Sequence, residues 1–325
     1  MSENQKHRIV VAEGLSESGL ERLRAVGEVV RLSSCDEASL TAAVREADAL
    51  LVRTYSQVTA KLIGEAKAKG RLKVIGRAGV GVDNIDLKAA LDAGIKVVHT
   101  PAASTYAVAE LVVGLIVSVQ RRFTWMDGQV RLGEFGSLRG GKPRPELQHQ
   151  TLGIIGMGRI GTAVGRRMHL GMGMRVIYYD IREIGYLPFV AESMDSAEAV
   201  YREADVVTLH VPLTKLTRGM INGEALSCFK AGSSLVNASR GPVVEAGPLA
   251  AALEEGRLWG AAIDVFDPEP PPADHPLLQA SNCILTPHIG ARSREGLAAM
   301  NDVVDDVVAV LQGKPPQYQA LPEVD

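Results

Sequence analysis

Cysteine is scarce. The three that occur, Cys35, Cys228 and Cys283, are widely separated and odd in number, which leaves no disulfide framework and no CxxC metal pair and fits a reducing compartment. No apolar run reaches the roughly 20 residues that cross a bilayer. The most tempting one, Leu111–Val119, follows Glu110 and reads as a buried helix. The polar start, Met1 to Arg8, has no signal-peptide core, so a cytoplasmic location is the expectation. There is also no excess of basic charge: Lys plus Arg is 35 against 38 for Asp plus Glu, a formal net charge of −3. Nothing therefore draws the chain onto nucleic acid or an anionic membrane. HExxH-type histidine spacing and a GxSxG nucleophile elbow are both missing, so neither a metal site nor that class of hydrolase is expected. What is present is 325 residues, 46% of them apolar, enough for about two domains with substantial cores.

Short apolar runs alternate with amphipathic stretches. Ile9–Ala12, Glu28–Leu32, Ala49–Arg53, Lys73–Ile75 and Lys96–His99 read as strands, with helical patterns such as Leu40–Ala47 and Leu87–Ala93 between them. A second series follows: Leu152–Ile155, Arg175–Tyr179, Val206–His210, Ser234–Asn237, Ala261–Val265 and Cys283–Thr286, with helices near Ile160–His169, Ala197–Glu203 and Leu249–Glu255. Such alternation predicts an α/β protein with two parallel sheets in tandem. Between the series, Ala103–Gln120 predicts one long helix, and Arg121–Gln150 loses periodicity and reads as an exposed arm. Glu295–Leu311 is amphipathic and is expected to pack back on the first series, since a terminal helix must bury its apolar face.

The sharpest local signal is Gly156-Met157-Gly158-Arg159-Ile160-Gly161, which follows a strand and opens a helix. Glycines there permit a tight turn and a close approach to a pyrophosphate at the helix N-terminus. Asp180, at the end of the next strand, suits hydrogen bonds to adenine-ribose hydroxyls and opposes a 2′-phosphate, which favours NAD over NADP. Arg182 weakens that preference. In the last third Arg240, Glu269 and His288 each follow a strand, and the C-terminal ends of parallel strands share one edge where α/β sheets build ligand sites. A histidine that exchanges a proton, a carboxylate that orients it and an arginine that grips an anion make a coherent set. Taken singly, each also has a plain reading as a cap, a loop surface or an ion-pair partner.

Several ordered motifs then converge. Gly76–Asp86 (GRAGVGVDNID), the glycine loop with Asp180, Leu209–Thr214 (LHVPLT), Thr217–Asn222 (TRGMIN), Asn237–Gly241 (NASRG), Asp264–Phe266 with Glu269 and Pro270, and Thr286–Gly290 (TPHIG) closely resemble the D-isomer-specific 2-hydroxyacid dehydrogenases, over nearly the whole chain. The resemblance implies two Rossmann/flavodoxin-like doubly wound parallel-sheet domains with the active-site cleft between them. Residues 1–101 plus 291–325 would form the substrate domain, and residues 102–290 the NAD-binding domain, with a dimerisation arm near 121–150. It implies NAD(H) as cofactor, a small 2-hydroxy or 2-keto acid as substrate, and a homodimer formed through the Rossmann domain. His288 becomes the proton donor in reduction and the base in oxidation, paired with Glu269, while Arg240 holds the keto oxygen and carboxylate. Cofactor contacts fall to Gly156, Gly158, Arg159, Ile160, Gly161, Asp180, His210, Val211, Pro212, Thr217, Ala238, Ser239, Asp264 and Gly290. Substrate contacts fall to Arg53, Thr54, Arg77, Val80, Gly81 and Ser104, together with Arg240 and His288.

Within that family, Val52-Arg53-Thr54, the GRAGVGVDNID run and the lack of a regulatory extension after Leu311 look most like short 3-phosphoglycerate dehydrogenases. Tyr55 stands where some of them carry another basic residue, and Ser104 where that branch usually has asparagine. Both departures keep glyoxylate or hydroxypyruvate reduction open as the rival assignment. Arg139, Lys142 and Arg144 in the arm either reach a substrate phosphate from a partner subunit or form a solvated face. The family also includes NAD(H)-sensing corepressors that keep the same trio, a different class of function.

Overall fold

The computed structural model describes residues 7–138 and 143–322. The chain divides into two compact units, Met1–Ser104 with Ser293–Asp325, and Thr105–Arg292. The first begins β1 (His7–Val11), α1 (Glu17–Arg24), β2 (Gly27–Arg31), α2 (Glu37–Val44), β3 (Ala49–Val52), α3 (Ala60–Lys69), β4 (Val74–Arg77), α4 (Leu87–Asp92) and β5 (Lys96–His99). Ser16, Asp36, Thr59 and Asp86 each accept the backbone N–H three residues on and so start α1, α2, α3 and α4. The strands run parallel in the order β5-β4-β3-β1-β2, the order of flavodoxin-like sheets. Val10, Leu50, Val52, Ile75 and Val97 pack on one side with Leu40, Val44, Leu62 and Ile63 of α2 and α3.

The second unit opens with α5 (Thr105–Arg121), α6 (Phe123–Arg131) and α7 (Phe135–Leu138). It continues through β6 (Thr151–Ile155), α8 (Arg159–Met172), β7 (Arg175–Tyr179), β8 (Glu192–Ser193), α9 (Ala197–Glu203), β9 (Val206–Leu209), α10 (Gly223–Cys228), β10 (Ser234–Asn237), α11 (Ala246–Glu254), β11 (Gly260–Ile263) and β12 (Cys283–Leu285). Strand order is β8-β7-β6-β9-β10-β11-β12, all parallel, so the order reverses at β6/β9 as in Rossmann folds. Alternation along the strands splits the core. Val207, Leu209, Leu235, Ala261 and Ile263 face α9, α10 and α11, while Leu152, Ile154, Val206, Val236 and Ala262 face α5 and α8. The chain then returns to the first unit as α12 (Arg294–Met300), α13 (Val303–Leu311) and β13 (Gln319–Ala320), the last antiparallel on β5.

Two expectations need correction. The stretch 121–150 is not an irregular arm, because α6 and α7 lie within it. Neither helix buries a residue, and both are short, so nine and four residues of helix are hard to pick out of the surrounding Gly- and Arg-rich sequence. Likewise Glu295–Leu311 is not one helix but two, broken at Asn301-Asp302. The Asn301 side chain is drawn away from a continuous helix surface: its Oδ1 accepts the Ser16 N–H and its Nδ2 donates to the Leu297 carbonyl. Among the described residues no helix is long and apolar enough to cross a membrane.

Candidate active site

In the second unit β10, β11 and β12 deliver Arg240, Glu269 and His288 from their C-terminal ends. His288 has φ 51°, a left-handed conformation that a side chain other than glycine adopts at some cost. Asp264 holds it there. The His288 N–H donates to the Asp264 carbonyl at 2.8 Å and the Thr286 carbonyl at 3.0 Å. The Asp264 carboxylate, 1% exposed, accepts the Thr286 hydroxyl at 2.6 Å, Ile289 N–H at 2.9 Å and Gly290 N–H at 2.9 Å. Glu269 Oε2 lies 2.8 Å from His288 Nδ1, and Glu269 Oε1 accepts the Phe266 N–H at 3.0 Å. Partial burial raises the Glu269 carboxyl, but the hydrogen bond and charge of His288, the Phe266 amide and nearby Arg240 outweigh it and hold the group below its ordinary value. A carboxylate on Nδ1 fixes the proton there and leaves Nε2 as the working nitrogen.

Asn237 shapes the neighbouring turn: its Oδ1 accepts the Ser239 N–H and hydroxyl, and its Nδ2 donates to the Arg240 carbonyl at 2.9 Å. Arg240 Nη1 donates back to the Ser239 carbonyl at 2.7 Å. Ser239 is buried, and Ala238 packs against the α5/α8 side of the core.

The glycine loop sits at the reversal point of the sheet. Gly156 has φ 92°, and a Cβ there would lie 2.6 Å from the His210 carbonyl oxygen; one on Gly161 would lie 2.2 Å from the Gly156 carbonyl oxygen. Gly158 caps α8 with no side-chain hydrogen bond, which leaves the first-turn amides of Arg159, Ile160 and Gly161 without a side-chain cap, an arrangement that fits a pyrophosphate. Asp180 ties the loop to β7, accepting Met157 N–H at 2.8 Å on Oδ2 and, on Oδ1, Arg182 N–H at 2.9 Å and Nε at 3.3 Å. Burial pushes the His210 imidazole down to about 3, so the ring is neutral; its Nε2 lies 3.1 Å from the Thr208 hydroxyl. Thr217 closes the 212–217 turn, its hydroxyl donating to the Pro212 carbonyl at 2.6 Å and accepting the Thr214 N–H. Val211 packs beside it in the α9–α11 side of the core.

Of the expected substrate residues, Arg240 and His288 belong to the second unit and the other six to the first. Arg53 and Thr54 follow β3, Arg77 ends β4, and Val80 and Gly81 form the turn after it. His99 Nδ1 lies 2.8 Å from the Val80 carbonyl and Thr100 N–H donates to the Gly79 carbonyl. The Arg77 guanidinium lies over Gly79, where a Cβ would collide with it. Ser104, 5% exposed, precedes α5, whereas Tyr55 is 68% exposed. Arg144 corrects an expectation. It is neither a solvated charge nor a group reaching outward, because its Nε and Nη2 both donate to Gln120 Oε1, its Nη1 donates to the Gly232 carbonyl, and it lies 4.6 Å from the Trp259 ring centroid. Arg139 and Lys142 lie outside the described residues. Sequence reasoning missed Glu13, and it gave Asn84, Asn237 and Thr286 no role of their own within the motifs that contain them. Glu13 was findable, since it stands at the end of the first strand on the same edge rule that singled out His288.

The sequence profile described as "D-isomer specific 2-hydroxyacid dehydrogenase, NAD binding domain" matches residues 113–290. The D-3-phosphoglycerate dehydrogenase of Methanocaldococcus jannaschii is 40% identical over 94% of this chain, which spans 58% of that protein's length. The glyoxylate reductase of Thermofilum pendens is 37% identical over 98% of this chain and 95% of its own. Among solved structures, the D-lactate dehydrogenase of Aquifex aeolicus complexed with NAD and lactic acid superposes with a TM-score of 0.82 at 29% identity, covering 94% of this chain and 96% of that one. The chain belongs to the D-isomer specific 2-hydroxyacid dehydrogenases, and its second unit carries that family's NAD-binding domain.

Proposed function

We propose that this chain interconverts a D-2-hydroxyacid and its 2-keto acid by NAD-dependent hydride transfer. The observation that carries the reading is the Glu269–His288 hydrogen bond at 2.8 Å beside Arg240, on the same sheet edge as a glycine loop whose helix carries no side-chain cap. NAD(H), when bound, supplies or accepts the hydride at the substrate's C2. His288 Nε2 hands a proton to the keto oxygen during reduction and takes it back during oxidation. Glu269 keeps the imidazole oriented and balances its charge in the protonated form. Arg240 pairs with the substrate carboxylate and keto oxygen and draws electron density toward the oxygen that receives the proton. The first-turn amides of α8 hold the pyrophosphate, Asp180 the adenine ribose, and the amides of Val80 and Gly81 the substrate carboxylate.

The phosphorylated three-carbon acid is the preferred substrate on this reading. Arg53 and Arg77 on the first sheet supply cations, and the Methanocaldococcus relative is named for that acid. Glyoxylate or hydroxypyruvate is the second reading, favoured by the match along nearly the full length of the Thermofilum glyoxylate reductase. The apolar side chains left exposed on and beside α6 and α7, among them Phe123, Val130, Leu132 and Phe135, support pairing of two copies through this face. The test is the initial rate of NADH oxidation against 3-phosphohydroxypyruvate, hydroxypyruvate, glyoxylate and pyruvate, with His288→Ala as the blank. Turnover dominated by the phosphorylated acid supports the first substrate reading and turnover of the unphosphorylated acids the second; no turnover of any of them refutes the dehydrogenase reading for this set.

A further inference from the structure

The loop that carries Arg53 and Thr54 is folded around an internal anion. Glu13 Oε1 accepts the N–H groups of Arg53 at 2.8 Å and Ser56 at 3.0 Å, and its Oε2 those of Thr54 at 3.0 Å and Tyr55 at 3.1 Å. Successive N–H groups turned to one point form an anion-binding concavity, and here a carboxylate of the same chain fills it. Glu13 follows β1, the neighbour of β3 on one side. From the other side, after β4, Asn84 Nδ2 donates to the carbonyls of Arg53 at 3.0 Å and Ser56 at 2.7 Å. The loop is thus gripped from both flanking strands, through its donors by one residue and through its acceptors by the other.

We infer that Glu13 is a positioning residue for substrate binding, acting through the 53–56 loop; this rests on the reading that Arg53 and Thr54 meet the substrate. With these amides taken, the loop reaches a ligand only through side chains. Arg53 depends on its backbone for direction, because its guanidinium contacts are long: 3.5 Å to the Gly14 carbonyl and 3.7 Å to the Met300 sulfur. Burial raises the Glu13 carboxyl, yet the hydrogen bonds it accepts from the loop more than offset this and hold it below its ordinary value. Glu13→Gln keeps the shape but turns an NH2 toward amide donors, which forces them apart. Simple charge would act the other way. A carboxylate near the site repels an anionic acid, so its removal alone would lower KM, whereas loss of positioning raises it.

The experiment compares the full chain with Glu13→Gln, Arg53→Ala and the double variant, using steady-state NADH oxidation and amide hydrogen exchange. Expected for Glu13→Gln is a KM for the 2-keto acid raised about tenfold, equivalent to about 1.4 kcal/mol, with kcat and the KM for NADH nearly unchanged. In the Arg53→Ala background the added Glu13→Gln change should raise KM by clearly less than tenfold, the remainder acting through Thr54, and exchange should quicken at amides 53–56 while β1 and β3 stay protected. A KM that is unchanged or lowered in Glu13→Gln, or effects of the two substitutions that multiply, overturns the inference. If Arg53→Ala leaves KM at the wild-type value, the substrate reading of that residue falls instead. Exchange at 53–56 then still separates the two failures, because unchanged rates in Glu13→Gln mean that the carboxylate does not hold the loop at all.

Discussion

Gly241→Ala tests whether the site works by fixed geometry. Gly241 is buried and opens the short turn after Arg240. A Cβ at this position would stand 1.9 Å from the Phe266 carbonyl oxygen, 2.1 Å from its carbon and 2.8 Å from the Asp267 nitrogen. Restoring an ordinary carbon–oxygen contact of about 3.3 Å therefore demands a separation of about 1.4 Å between two backbone segments. One segment carries Arg240. The other carries Phe266, whose N–H anchors Glu269, and Glu269 in turn orients His288. Misplacement on the order of 1 Å costs catalysis about 100-fold, and overpacking lowers stability by roughly 1–3 kcal/mol. We expect kcat to fall about 100-fold, with a smaller loss of NADH affinity by fluorescence titration, because the pyrophosphate loop lies at a different strand end while Ala238, Ser239 and Asp264 lie on the displaced segments. Gly247→Ala in α11 is the control, since no atom lies within 4 Å of its added Cβ. A folded Gly241→Ala enzyme with kcat within about threefold of wild type would refute the chain of displacement from Gly241 through Glu269 to His288.

His288→Ala should abolish turnover yet leave NADH binding nearly intact, because it removes the proton relay and not the dinucleotide cradle; a titration showing lost NADH affinity would contradict that division. Asp180→Ala should relax the preference for NAD over NADP, read as the ratio of kcat/KM with the two reduced coenzymes, and an unchanged ratio would place Asp180 away from the ribose. The Glu269 carboxyl is lowered in the folded chain, so the stability it adds is present above the unfolded carboxylate value of about 4.3 and is lost as pH falls through the lower folded value. Thermal melts between about pH 5 and about pH 3 should accordingly show a shallower decline in Tm for Glu269→Gln than for wild type, and parallel curves would deny the coupling.

Strand periodicity and the glycine loop made most of the architecture readable. Runs such as Ala49–Val52 and Leu152–Ile155 are buried on both faces, so they appear in the sequence as unbroken apolar stretches bounded by turn residues. The edge rule then brought Arg240, Glu269 and His288 to one side of one sheet. What stayed hidden has a common physical cause, because it depends on contacts across long sequence separation. Glu13 reaches a loop 40 residues on, and Arg144 is bound by Gln120 and Trp259. α6 leaves its apolar side chains Phe123 and Val130 exposed, so no burial within the chain marks it as a helix. The role of Asp264 as organiser of the 286–290 turn is likewise invisible without the fold, since its partners lie on the next strand's loop.

The split composition of the first unit sets an order of events. α13 lies against β4, and Gly76 leaves so little space there that an added Cβ would sit 2.6 Å from a Val307 methyl. Residues at the two ends of the numbering thus close one core, while the unit between them is continuous in sequence. During synthesis the strands β1 to β5 emerge first but wait for Val303 and Val307, made some two hundred residues later, before that face of their sheet is covered. The NAD-binding unit has all its own residues by Arg292 and is free to fold while the earlier half is still half-built. The split therefore leads one to expect the reverse of the usual N-terminal-first order of domain folding, with residues 105–292 complete before the unit that flanks them.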